Sequence, residues 1–160
     1  MFTHVSTEAA YSAHALRQSW RDVVADKAMR NRDAAAFLGV SEYELVASLV
    51  GEGTTRLTSQ WVHILTRVES LGRVMALKRN DAAVRELRGA YQNISATGHM
   101  GLALGDDFDL RLFFAQWANG YAAEEPVVNG ALKQSLQFFD ASGEAVQTVL
   151  LQHDSELHQF

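Results

Sequence analysis

The sequence predicts an α+β fold, with N-terminal helices followed by an antiparallel β meander. Apolar residues recur at three- and four-residue spacing through about position 72 and then alternate from Arg73 onward. Helices first and strands after is the order of a segregated α+β chain. The helical part covers about residues 6–72 and the sheet part about 73–151, inside one domain of 160 residues.

Ala9, Ala13, Leu16, Trp20, Val23 and Val24 make one stripe on a first helix, from about Ser6 to Lys27. The stretch "RDAAAFLGVSEYELVASLVG" (32–51) reads as a short helix, a tight turn at Gly39, and a second helix. Ser41 and Glu44 have the spacing of a capping box, and Gly51 can end that helix. In "SQWVHILTRVESLG" (59–72), Trp61, Ile64, Leu65, Val68 and Leu71 line one face, His63 lies off it, and Gly72 suits a left-handed cap. Strands are expected over 73–79, 90–96, 100–105, 108–124, 132–140 and 145–151, with "DASG" (140–143) as a hairpin loop.

Composition removes several function classes. The net charge of -5 argues against an electrostatic nucleic-acid binder, which needs a surplus of Lys and Arg on some face. With no cysteine there is no disulfide, thiolate metal site or Cys nucleophile, and a reducing cytoplasm fits. The first 30 residues hold charges at Glu8, Arg17, Arg21, Asp22, Asp26 and Lys27, so no signal peptide is expected. No stretch approaches the roughly 20 apolar residues that span a bilayer, so no membrane insertion is expected.

Local motifs are few. The 32–51 stretch has the outline of a DNA-binding helix-turn-helix, but "SEYELVASLV" carries Glu42 and Glu44 and no Lys or Arg. Base edges and phosphates call for Arg, Lys, Asn or Gln, so a helical hairpin packed on the sheet is the better reading. The 6 histidines form no HExxH or other tight ligand pair. His99 stands apart in "GHMG", at a turn entering a strand, where it is either a turn residue or a pocket ligand. Asp106 and Asp107 with Asp109 read as a solvated turn.

The informative stretch is "FDLRLFFAQW" (108–117). Alternation puts Phe108, Leu110, Leu112 and Phe114 on a core side, and Asp109, Arg111, Phe113, Ala115 and Trp117 on the other. One permanent cation thus sits among aromatic rings. Arg111 either pairs with Asp109 at the surface, an interaction worth little, or serves a flat apolar ligand bearing a carboxylate.

Four stretches in order carry a family resemblance: "FLGVSEYELVASLVG" with "TRL", "ILTRVESLGRVMALKRNDAAVRE", "GHMGLALGDDFDLRLFFAQW" and "SLQFFDASGEAV". Together they resemble the HemS/ChuS family of cytoplasmic haem-utilisation proteins, over about residues 32–151. The resemblance is to one repeat, most similar to the N-terminal half of members that carry two. It implies haem as the cofactor, a homodimer that rebuilds the two-unit arrangement, and a carrier, a reservoir or a haem-degrading protein. Nothing in the sequence reads as a flavin or nicotinamide site to feed electrons to such a breakdown.

The resemblance also implies roles for single residues. Arg111 matches the arginine of the family's "DLRLF" stretch, which reaches into the haem site, and Phe113 and Trp117 are expected beside it. Arg85 stands where the family's N-terminal half often has a histidine. A guanidinium offers iron no lone pair, though it can still pair with a propionate. His99 is the best candidate for the iron by local context, with His158 in "DSELHQF" and Tyr91 behind it. Two alternatives stand beside haem handling: a like fold that has lost haem and serves as an interaction or regulatory module, and a helix-turn-helix regulator.

Overall fold

The computed structural model describes residues 2–27, 29–79, 84–106, 109–126 and 132–152. Four α-helices occupy its first part: α1 (Phe2–Lys27), α2 (Asn31–Leu38), α3 (Glu42–Ala47) and α4 (Trp61–Val68). The strands are β1 (Thr55–Arg56), β2 (Arg73–Arg79), β3 (Val84–Ala90), β4 (Ile94–Thr97), β5 (Met100–Leu104), β6 (Asp109–Phe113), β7 (Asn119–Pro126), β8 (Leu132–Phe139) and β9 (Ala145–Leu151). The α+β class is as the sequence reads.

Local chemistry sets the helix ends. Gly39 closes α2 in the left-handed region at φ 72°, where a side chain would be strained. The capping box forms: Glu44 N–H donates to Ser41 Oγ at 3.2 Å, and Ser41 N–H donates to Glu44 Oε2 at 2.8 Å. α4 runs into a 3-10 turn over Glu69–Leu71 and stops at Gly72, φ 71°.

The antiparallel strands are shared between two sheets. A six-stranded sheet has the order β1-β7-β8-β9-β2-β3, and a three-stranded sheet the order β4-β5-β6. All of the strand pairs are antiparallel. The expected strand 108–124 is cut by a 3-10 turn at Phe114–Gln116, which sends β6 to the small sheet and β7 to the large one. The expected strand 90–96 is realised only from Ile94, where β4 begins after Asn93, a non-glycine residue with positive φ; Ala90 instead ends β3, a strand not expected over 84–89.

The large sheet divides two cores. On one face, Trp20, Val23 and Val24 of α1, Ala34 and Ala35 of α2, and Leu45, Val46 and Leu49 at α3 pack on Tyr121, Ala123, Phe139 and Ala145. The helix-turn-helix-like stretch is therefore spent on the sheet, with Glu42 paired to Arg79 of β2. On the other face, Val74, Ala76, Leu136, Phe138 and Val149 meet Ala103, Leu110 and Leu112 of the small sheet and Trp61, Leu65 and Val68 of α4. The small sheet thus has one side on the core and, among the described residues, one side free.

Candidate functional site

The free side follows from the register. Arg111 is opposite Leu102, Phe113 opposite Met100, and Asp109 opposite Leu104, and opposed residues share a face. Met100, Leu104 and Phe113 are 41%, 43% and 45% exposed, large values for side chains of this size and polarity. Arg111 stands exposed among them, while Leu110 and Leu112 alternate into the core. No ion pair joins Arg111 to Asp109 or to any other carboxylate of the described residues.

A second cation comes from the other sheet. Lys78 of β2 donates from Nζ to the Arg111 carbonyl oxygen at 2.5 Å, and the same ammonium lies 5.3 Å from the centre of the Phe113 ring. Partial burial, and behind it the charge of Arg85, hold the Lys78 ammonium below the ordinary lysine range. Arg85 is opposite Lys78 across the β2/β3 ladder and is exposed. The candidate site is thus an apolar sheet face that bears Arg111, with Lys78 at its border and Arg85 opposite Lys78.

Trp117 corrects the expected alternation. It does not share the face of Arg111 and Phe113. The 3-10 turn at Phe114–Gln116 rotates the chain, and Trp117 enters the core between the sheets. There it stacks on Phe138 at 4.3 Å between ring centres and meets Phe114 edge-on at 5.0 Å. Phe114 is buried as expected, and Phe108 lies outside the described residues.

His99 is in the turn joining β4 to β5, exposed, next in sequence to Met100 on the free face. Its carbonyl accepts from the Phe114 N–H at 2.8 Å, which fixes the turn against the end of β6. Beside that turn opens a cleft of about 440 Å³ lined by Ser59, Gln60, Trp61, Val62, His63, Gly98 and Phe114. The structure therefore puts a second imidazole, His63, near the same end of the sheet. Tyr91 is fully buried, its hydroxyl accepting from Gln147 Nε2 at 2.7 Å, so it presents nothing to an external ligand. His158 lies outside the described residues, as does Asp107 of the acidic turn. Among the described residues, no group of three or more His, Cys, Asp or Glu is placed to hold a metal ion.

Sequence reasoning singled out Arg111, Arg85, Phe113 and His99 and did not single out Lys78, Met100 and Leu104, which the structure places beside Arg111 and Phe113. The alternation of "MGLALG" against "DLRLF" held the signal for the two apolar residues. Lys78 left no such signal, because its reach crosses from one sheet to the other.

A family model described as the haemin-degrading HemS/ChuX domain matches residues 39–160. The chain belongs to this family. Among curated relatives, the hemin transport protein HmuS of Yersinia pestis is 40% identical over 127 residues, covering 79% of this chain and 36% of its own length. Among solved structures, holo-PhuS, a heme-binding protein from Pseudomonas aeruginosa, superposes with a TM-score of 0.85 at 40% identity, covering 92% of this chain and 43% of that one. The Escherichia coli O157:H7 heme degrading enzyme ChuS gives a TM-score of 0.82 at 30% identity, covering 92% of this chain and 44% of that one. The chain thus spans less than half the length of these family members.

Proposed function

We propose that this chain handles haem, binding it on the free face of the small sheet for carriage in haem-iron utilisation. One observation carries the reading: an exposed apolar face of Met100, Leu104 and Phe113 holds Arg111 with no described carboxylate to neutralise it. Haem is a flat apolar ring with two carboxylates, and this donor set fits it. Names of the family relatives support the same ligand, since holo-PhuS is a heme-binding protein and HmuS a hemin transport protein.

In this reading Arg111 pairs with a propionate through its planar fork. Phe113, Met100 and Leu104 supply the apolar bed, and Arg85 adds positive charge at the edge. His99, exposed beside Met100, is the imidazole proposed for the iron, with His63 as the neighbouring candidate. Trp117 acts only from below, as the packed support of the sheet. When bound, haem supplies redox and oxygen chemistry of its own. The family description and ChuS support haem breakdown as an activity of the longer assembly.

A face this apolar calls for a cover, and a second like unit across a two-fold axis supplies one, so the proposed assembly is a homodimer; the proposed compartment is the reducing cytoplasm, which the cysteine-free sequence fits. Titration with haemin, with mass measured alongside, tests the reading. A saturable Soret shift that is lost in the Arg111→Ala, His99→Ala double variant is expected. A stable dimer with no Soret shift would instead assign the fold to an interaction module.

A further inference from the structure

Lys78 sits where a lysine is costly. Its position in β2 faces the core side of the large sheet, in register with Arg85 on one side and with buried Gln147 on the other. Gln147 itself donates from Nε2 to the Tyr91 hydroxyl at 2.7 Å. Arg111, the cation of the free face, meets Lys78 through its main-chain carbonyl. β6 is one of the two edge strands of the small sheet, so Lys78 meets a carbonyl of a strand that has no further strand beside it among the described residues.

An ammonium carries three protons, and the Arg111 carbonyl takes one. No carboxylate of the described residues lies within ion-pair distance of Lys78, Arg85 or Arg111. The like charges of Lys78 and Arg85 thus lie together at one edge of a chain whose net charge is -5. A half-buried ammonium set beside a guanidinium costs free energy in the empty protein, and an anion at the same point recovers it. The Phe113 ring beneath Lys78 extends the apolar bed up to that edge.

We infer that Lys78 and Arg85 form a second carboxylate subsite at the junction of β2 and β6, taking one acid group of a flat dicarboxylate ligand while Arg111 takes the other. The inference rests on the haem reading for the ligand but concerns only its acid groups, so it can be tested without iron. The probes are haemin, iron-free protoporphyrin IX and protoporphyrin IX dimethyl ester, each titrated into the full chain and followed at the Soret band. Lys78→Gln is expected to weaken protoporphyrin IX about tenfold, the effect of one charged hydrogen bond, and to leave the dimethyl ester unchanged. Lys78→Arg is expected to restore most of the loss, and Arg85→Gln to give a smaller one. Circular dichroism melts establish that each variant is folded.

If Lys78→Gln and Arg85→Gln both keep the parent preference for diacid over diester, the subsite is overturned even where haemin binds. If haemin gives no saturable shift while protoporphyrin IX binds in a Lys78-dependent way, the haem reading fails and the subsite stands. If no porphyrin binds, both fall.

Discussion

Lys78 and Arg111 are joined across the two sheets, the side chain of one to the main chain of the other, at 2.5 Å. The contact ties the edge of the small sheet to the large one and puts a titratable cation at the border of the candidate site. Its surroundings set the sign of a pH effect. Burial and Arg85 lower the Lys78 pKa, Arg111 meets it through the main-chain carbonyl, and Asp109 is on the same face as Arg111 without pairing to it. A neutral amine no longer attracts a carboxylate. Diacid affinity should therefore fall as the pH rises through a value below the ordinary lysine 10.5. Lys78→Arg should abolish that step, because a guanidinium stays charged. Soret titrations at a series of alkaline pH values check this.

Phe113 and Trp117 lie close in sequence and should behave as opposites. Trp117→Ala opens a cavity between the sheets and is expected to cost ~3–5 kcal/mol of stability. Phe113→Ala removes a ring that is 45% exposed and should change stability little while weakening porphyrin binding severalfold. Urea unfolding and haemin titration of the two variants separate the roles; equal destabilisation would contradict the assignment of faces.

Gly101 is required by a ring. A Cβ there would lie 2.5 Å from Cε2 of Phe114, well inside contact distance. Gly101→Ala should destabilise by ~1–3 kcal/mol through overpacking. Phe114→Leu should recover part of the loss in the double variant, a coupling that a double-mutant cycle in urea would measure.

Glu125 anchors the helical layer. Its side chain is buried, and Oε1 accepts from Asn31 Nδ2 at 2.7 Å and from Gln137 Nε2 at 2.9 Å, while Lys133 lies 2.8 Å from Oε2. Glu125→Ala removes an acceptor from both amides, with Gln137 Nε2 left only Ser135 Oγ at 3.0 Å, and should cost ~1–3 kcal/mol. Glu125→Gln, which keeps an acceptor oxygen, should cost less. Thermal melts of the pair distinguish an anchoring carboxylate from a bystander.

Alkaline unfolding should carry the mark of Tyr91. Burial pushes its pKa above the usual tyrosine value of 10.0, and Gln147 offsets only part of that shift. A group whose folded pKa is raised contributes stability below its unfolded pKa and loses it as the pH climbs toward the folded one. Stability should therefore decline above about pH 10. Tyrosinate absorbance from Tyr91 should appear only with unfolding.

Helices and faces were readable wherever local chemistry decided them. Ser41 with Glu44, Gly39 and Gly72 mark helix ends by capping rules that need no tertiary partner. Arg111 and Phe113 were placed by alternation because β6 is regular up to Phe113. Trp117 was misplaced because alternation holds only while the strand lasts, and the turn at Phe114–Gln116 brings it against Phe138 and Trp61 in the core. β3 was missed for the opposite reason. At the outer edge of its sheet, Arg85, Glu86 and Arg88 are exposed, so no apolar period announces a strand. Lys78 could not be found from sequence, since its partners, Arg111 and Phe113, belong to a different sheet.

The three tryptophans, Trp20, Trp61 and Trp117, are all buried, and Trp61 and Trp117 lie 5.8 Å apart beneath the small sheet. A chromophore on the free face would sit about one packing layer, ~10 Å, from that pair. Indole emission overlaps porphyrin absorption, so energy transfer at this range is close to complete. Trp20, held against α2 and α3 on the other side of the large sheet, is farther away. The protein therefore carries its own optical gauge: occupancy of the free face should darken the inter-sheet pair first, leaving a residual glow from the helical layer.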